Sequence, residues 1–352
     1  MSGEMGGRKN LRGAASLAAK LALGLASVLA ALIFLELVLS ALFEPVLRVW
    51  QVQELFQLDD ELIYSLRPNR ERVAVNEEFT EHASTNSVGL RDDPIRARAE
   101  FDERIVVLGD SMIFGHGVDD NESFPNQLEA VLRESNRNVD VINAGIKGYG
   151  TDGAYKLWTS RLAPLGLEPD LVIFAIYLND LHDNIGQPLY SIESGALTPL
   201  DPTKNWIYLL GNIERHVPEF LRNRILYGLV LSRFIGRDVY RVLPDLNEAE
   251  LIDWAARKAL LQITDLAAVG RREGFRVMVL GVPYRDGAPH FYDWLAPAAK
   301  RGVRFFDPSL DPSWSKEEQH LFFDTDYHFT PAGNRLLAEM VAKALRVEGT
   351  KR

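Results

Sequence analysis

Five short apolar runs constrain this chain more than any other feature. They are ERIVVLG (103–109), VDVIN (139–143), LVIFAIY (171–177), FRVMVLG (275–281) and VRFFD (303–307). Each has strand length, and the near-continuous apolar character is that of strands buried on both faces. Helical signals separate them. Ser123 and Pro125 open SFPNQLEAVLRES, and Thr151 stands where a cap belongs for TDGAYKLWTSRL. A long helix is expected from about Ala249 to Val269. Thr330 and Pro331 open a last one, in which Leu337, Val341 and Leu345 recur every four residues. Strands alternating with helices predict an α/β fold, a parallel sheet covered on both sides.

The N-terminus adds a different element. Residues 1–20 carry Arg8, Lys9, Arg12 and Lys20 against one acid, Glu4, and read as a basic cytoplasmic tail. LALGLASVLAALIFLELVLSALF follows at 21–43. At about 1.5 Å rise per residue such a run crosses a hydrocarbon core of about 30 Å, so it reads as a transmembrane helix. Glu44, Glu54, Asp59, Asp60 and Glu61 follow it, and the charge asymmetry puts the N-terminus inside and the remainder in the periplasm. A cleaved signal peptide is the alternative, but the run is long and no clear A-x-A site follows. Glu36 stands within the span, where a carboxyl costs about 2–3 kcal/mol unless neutralised or paired. It either snorkels to the interface or meets a membrane partner.

Residues 44–100 read as a juxtamembrane segment of short strands and loops, ahead of a main domain at 101–348. Residues 184–248 interrupt the strand–helix rhythm with an insertion. Its NWIYLLGNIERHVPEFLRNRILYGLVLSRFIGRDVY reads as one or two amphipathic helices. Three roles fit: a lid over the site, a cap packed on the sheet, or a membrane-surface contact. The net charge of −10 offers no electrostatic footprint for nucleic acid. With no cysteine in 352 residues, disulfides, thiolate metal sites and a cysteine nucleophile are excluded.

The chemistry-bearing residues stand just beyond the strand ends, where an open α/β sheet places its ligand crevice. Gly109-Asp110-Ser111 follows the first strand, and a serine there acts as nucleophile if a base takes its proton. Asn143-Ala144-Gly145 follows the second; a glycine N–H there can approach a developing oxyanion closely. Leu178-Asn179-Asp180 follows the third, and an asparagine amide can donate to the same oxyanion. DTDYHFTPAG (324–333) precedes the last helix. There an acid two residues from His328 can orient the imidazole as general base. An extended backbone before the Thr330 cap would set Asp326 and His328 side by side, with Asp324 about 7 Å further along.

Taken together, Ser111, Gly145, Asn179 and His328 resemble the four blocks of the SGNH (GDSL-like) hydrolase superfamily over about residues 101–346. TNSVGLRDD (85–93) and GHGVDDNESFP (115–125) are similar to stretches of its bacterial membrane-anchored members. The resemblance implies a flavodoxin-like three-layer α/β/α sandwich with a five-stranded parallel sheet. It also implies a Ser–His–Asp triad and an oxyanion hole of the Ser111 and Gly145 N–H groups with the Asn179 side chain. The family's usual acid position, three before the histidine, is Thr325 here; Asp324 and Asp326 flank it.

Two other patterns fail on context. Gly148, Gly150 and Gly153 spell G-x-G-x-x-G, but Asn143–Lys147 separates them from the strand, and Asp170 precedes rather than ends the next one. His320, Asp324, Asp326 and His328 offer metal-ligand types, yet a triad accounts for the last two. Neither a cofactor nor a metal is called for. No G-x-S-x-G elbow is present, against an α/β-hydrolase. His116 and His182 lie near the site in sequence and either line the pocket or face solvent.

The expected activity is that of a serine esterase on O-acylated, for example acetylated, glycans or lipid esters. The same motifs serve an O-acyltransferase of an extracytoplasmic polysaccharide. A non-catalytic, membrane-anchored glycan-binding or assembly protein is the alternative outside enzymology. The topology is testable directly. An alkaline phosphatase fused at the C-terminus is expected to be active, with the protein retained in membranes after a salt wash. An inactive fusion would reverse the orientation, and a soluble product starting near Leu42 would remove the anchor.

Overall fold

A computed structural model describes residues 4–42, 55–214, 216, 247–285, 292–312, 314 and 320–349. Most of the amphipathic part of the insertion, residues 217–246, lies outside them. The chain divides into two compact units, 1–51 with 213–238, and 52–212 with 239–352. In the first, α1 (Glu4–Leu42) contains Ala19–Val38, a stretch long and apolar enough to cross a membrane. Signal sequences share that character. The described side chains from 19 to 35 are all exposed; Glu36, at 8% exposed, is buried.

The second unit begins with two antiparallel hairpins, β1 (Phe56–Asp59) with β2 (Ile63–Leu66), and β3 (Glu71–Val75) with β4 (Thr80–Ser84). Then come β5 (Glu103–Gly109), α2 (Ser111–Phe114), α3 (Phe124–Glu134) and β6 (Val139–Gly145). They are followed by α4 (Thr151–Leu157), β7 (Leu171–Ile176) and α5 (Asp180–Gly186). The described part of the insertion forms a hairpin, β8 (Tyr190–Glu193) with β9 (Ala196–Pro199), and α6 (Trp206–Glu214). The remainder is α7 (Glu248–Glu273), β10 (Arg276–Gly281), α8 (Ala296–Lys300), β11 (Arg304–Phe306) and α9 (Pro331–Gly349).

The five predicted strands form one parallel sheet in the order β11-β10-β7-β5-β6. Their lack of alternation has its physical reason in two-sided burial. Ile105, Val107, Val141, Leu171, Ile173 and Leu280 share a core with Leu128, Leu132, Leu337 and Val341 of α3 and α9. The opposite-parity Val106, Leu108, Ile142, Val172, Phe174 and Ile176 are equally buried. Strand order sets the layers. The chain steps outward from β5 to β6, then back across β5 to β7. Right-handed crossovers therefore place α3 and α4 on opposite faces. The reversal opens a crevice at the C-terminal ends of β5 and β7, beside Ser111 and Asn179.

Buried ions tie the irregular parts to this frame. Arg91, fully buried, spends its five N–H donors on five acceptors. They are the carbonyls of His82 (3.0 Å), Phe114 (3.0 Å), Gly115 (2.5 Å) and Val118 (2.6 Å), and Asp120 Oδ1 (2.6 Å). A guanidinium satisfied this way avoids the cost of an unpaired buried charge and fixes the loop after the nucleophile to β4. Lys258 of α7 is likewise buried on Asp152 of α4 at 2.7 Å. Thr151 departs from expectation. Gly150 occupies the cap position, and the Thr151 hydroxyl donates to Gln262 Oε1 at 2.7 Å, joining α4 to α7.

Candidate active site

The site starts where β5 stops. Asp110 caps α2 by accepting from the Met112 N–H at 2.9 Å, leaving Ser111 as the first helical residue at the sheet's edge. The Ser111 N–H has no acceptor among the described residues. The Ser111 hydroxyl lies 2.8 Å from His328 Nε2, and His328 Nδ1 lies 2.5 Å from Asp326 Oδ1. With Nδ1–H donating to the carboxylate, Nε2 is left to accept from the serine.

The loop that brings these residues together is a turn, which corrects the extended backbone expected here. An antiparallel bridge between Phe322 and Phe329 closes it, with Phe323 N–H donating to the His328 carbonyl at 2.9 Å. Tyr327 takes φ 65°, and the left-handed residue between Asp326 and His328 folds the two side chains onto each other. Asp324 stands outside with an exposed side chain, 4.0 Å from Arg285. Glu78, from the β3–β4 turn, holds the loop. It accepts from the N–H of Thr325 (2.9 Å) and of Asp326 (3.0 Å) and from the Thr325 hydroxyl (2.5 Å). These bonds, led by that from the Thr325 hydroxyl, keep the Glu78 carboxyl below its ordinary range.

Gly145 does not offer the N–H expected of it. That group donates to Asn143 Oδ1 at 3.0 Å, and a Cβ at 145 would lie 2.2 Å from the Phe114 nitrogen. The glycine serves close packing of α2 on the end of β6. Three residues on, Gly148 adopts φ 77°, and its N–H has no acceptor among the described residues. Asn179, at the start of α5, directs its amide toward Asp183 Oδ2 at 2.7 Å, which leaves a second N–H on the same nitrogen. Its Oδ1 is buried without a partner among the described residues.

Behind the triad, sequence reasoning left His116 as either pocket-lining or solvent-facing and passed over Glu81 and Lys147. His116 Nε2 lies 3.4 Å from Asp326 Oδ2, and its Nδ1 lies 3.0 Å from Glu81 Oε2 and 2.6 Å from Lys147 Nζ. Burial alone would raise the Asp326 carboxyl, but hydrogen bonds from His116 and His328 hold it well below the ordinary range. Asp110 is pushed up to about 6 by burial, and Asp183 to about 7 by burial and the charge of Asp110. No periodicity marked Glu78 and Glu81, which sit in the short hairpin NEEFTEH, and only proximity to Ser111 pointed to His116. His182 and His320 are exposed. Among the described residues, the ligand atoms that lie within 4.8 Å of one another belong to His116, Asp326 and His328, rather than to the set containing His320 and Asp324. Both nitrogens of His328 are engaged by Ser111 and Asp326.

Residues 107–336 match the model of the GDSL-like Lipase/Acylhydrolase family. No curated protein matches the chain. Similar solved structures include a psychrotrophic esterase, EstA, from Pseudoalteromonas sp. It has 12% identity over 71% of this chain and 100% of that one, with TM-score 0.41. TesA has 16% identity over 69% and 98%, with TM-score 0.41. A putative lipolytic protein of the G-D-S-L family from Desulfitobacterium hafniense has 15% identity over 69% and 99%, with TM-score 0.37.

The geometry separates the two candidate acids. Asp326→Asn is expected to lower kcat for an ester substrate by up to about 10⁴-fold, the cost of presenting the histidine in the wrong tautomer. Asp324→Asn is expected to stay near wild type, both variants being folded by circular dichroism. Equal small losses would indicate a Ser–His dyad, and the reverse order would move the acid to Asp324.

Proposed function

The chain belongs to the GDSL-like lipase/acylhydrolase family, and from that premise we propose that it is a serine esterase that cleaves acyl esters outside the cytoplasmic membrane through an acyl-serine intermediate. The observation that carries this reading is the unbroken hydrogen-bond chain from Ser111 Oγ through His328 to Asp326.

His328 Nε2 takes the hydroxyl proton as Ser111 Oγ attacks the ester carbonyl. The positive charge on the imidazolium is balanced by Asp326, whose low pKa keeps it ionised. Negative charge gathers on the former carbonyl oxygen, where converging N–H donors are usually the largest catalytic contribution. The Ser111 N–H and Gly148 N–H, both without acceptors among the described residues, support a hole built from these two and the second N–H of Asn179. Gly148 takes the part that Gly145 cannot, because the Gly145 N–H is consumed by Asn143. The tetrahedral adduct collapses, His328 protonates the departing alcohol, and water reverses the sequence to free the acid.

The apolar stretch Ala19–Val38, with basic residues before it and acidic ones after residue 43, supports an anchor that leaves the catalytic domain outside. O-acylated glycans and lipid esters are the ester classes such a domain meets. Ser111→Ala is expected to remove hydrolysis of p-nitrophenyl acetate, leaving at most the residual, about 10³–10⁴ over water, that an oxyanion hole and binding sustain without a nucleophile. Wild-type turnover in that variant would overturn the assignment.

A further inference from the structure

The carboxylate of Asp326 has two faces, and the triad uses one. Oδ1 is taken by His328; Oδ2 faces a second imidazole, His116 Nε2, at 3.4 Å. The two rings meet edge to face with centroids 4.5 Å apart. Phe79 also packs edge to face against His116, with centroids 5.2 Å apart. Behind His116 stands Glu81 of β4, fully buried, whose carboxylate accepts from the Gly117 N–H at 2.7 Å and from Lys147 Nζ at 2.9 Å. The result is a row of alternating groups, Glu81, His116, Asp326, His328 and Ser111. It runs from the β3–β4 hairpin to the nucleophile.

We propose that His116 is a positioning residue of the active site: it holds the outer oxygen of Asp326 and, through its own charge, sets how strongly Asp326 supports a proton on His328. The inference rests on the serine mechanism above. Two protonation states fit the distances. Neutral His116 donates Nε2–H to Asp326 and accepts from Lys147 at Nδ1, where Nζ lies at 2.6 Å. Charged His116 donates Nε2–H to Asp326 and Nδ1–H to Glu81, 3.0 Å away.

The charged and titratable groups facing the ring are Glu81 from β4, Lys147 from the loop after β6, and Asp326 and His328 from the loop before α9. Arg91 acts on it more remotely, through Glu81. Burial works against a charged His116, but hydrogen bonds to Asp326 and Glu81 outweigh it and raise its pKa. Lys147 moves the other way, brought down to about 8 by burial. As pH falls, then, His116 takes up a proton beside Asp326. The new cation partly neutralises Asp326 and so weakens its support for positive charge on the His328 ring, which extends activity to lower pH. Without a titrating group at 116, Asp326 keeps its full charge, and activity is lost at higher pH.

The test measures the pH dependence of kcat/KM for p-nitrophenyl acetate in wild type, H116Q and H116L, alongside fluorophosphonate labelling at Ser111. Glutamine keeps a donor near the Nε2 position and cannot titrate; leucine keeps neither property. Both variants are expected to move the acid limb to higher pH. H116L is also expected to lower the alkaline plateau by about 10–100-fold, the worth of one hydrogen bond to a charged group. H116Q should recover much of that plateau. A purely structural His116 would lower the plateau without moving the limb. An unmoved limb in H116Q, with Ser111 still labelled, overturns the inference even if H116L fails to fold. A wild-type protein that takes no label at Ser111 overturns the serine mechanism and this inference with it.

Discussion

One carboxylate, that of Asp326, joins the parts of this catalytic unit that sequence separates most widely. Its Oδ1 orients His328, its Oδ2 faces His116 from the nucleophile loop, and its backbone N–H is held by Glu78 from the β3–β4 turn. Three segments, around residues 78, 116 and 326, thereby meet at one charge. An ionised carboxylate at a half-buried position is costly unless it is hydrogen-bonded, and here the hydrogen bonds from both imidazoles favour the charged form. The hairpin ahead of the sheet is thus part of the site's construction. Glu78 fixes the acid loop, Glu81 binds the Gly117 N–H, and Arg91 fastens the carbonyls of residues 114, 115 and 118.

On the sheet side of the crevice the electrostatics run the opposite way. Burial raises Asp110, Asp180 and Asp183, and the charge of Asp110 further opposes ionisation of the other two. A region that resists gathering negative charge on its own carboxylates makes preorganised N–H donors more valuable. The hole proposed above draws its donors from the Ser111 and Gly148 N–H groups and the Asn179 amide. The contrast between an ionised Asp326 and acids pushed toward neutrality comes from hydrogen bonds to two imidazoles on one side and, on the other, from burial, to which the charge of Asp110 adds at Asp180 and Asp183.

The strands were legible because two-sided burial leaves a plain signature, and the residues just past their ends were legible because an α/β sheet exposes its C-terminal edge. Ser111 and Asn179 stand at such ends, His328 stands in the loop before the last helix, and the pairing of Asp326 with His328 needed only their closeness in sequence. The route was misread, since an extended segment was expected where Tyr327 makes a left-handed turn. In sequence Gly145 reads as an oxyanion donor and Gly148 only as part of a G-x-G-x-x-G pattern that fails on context. What separates them is the Asn143 side chain, which consumes one N–H and not the other, and no spacing rule reports that. Glu78, Glu81 and Lys147 carried no signal, because their partners come from distant loops. Arg91 stood in a recognisable motif, but its five acceptors exist only in the folded loop.

The central claim is that Ser111 becomes acylated during turnover. Acid-quenching the purified protein during p-nitrophenyl acetate hydrolysis, followed by peptide mass mapping, tests it most directly. The account predicts an acetyl group on the peptide containing Ser111, localised to that serine. Continued hydrolysis with the acetyl group on another residue, or with no acylated peptide, would contradict it.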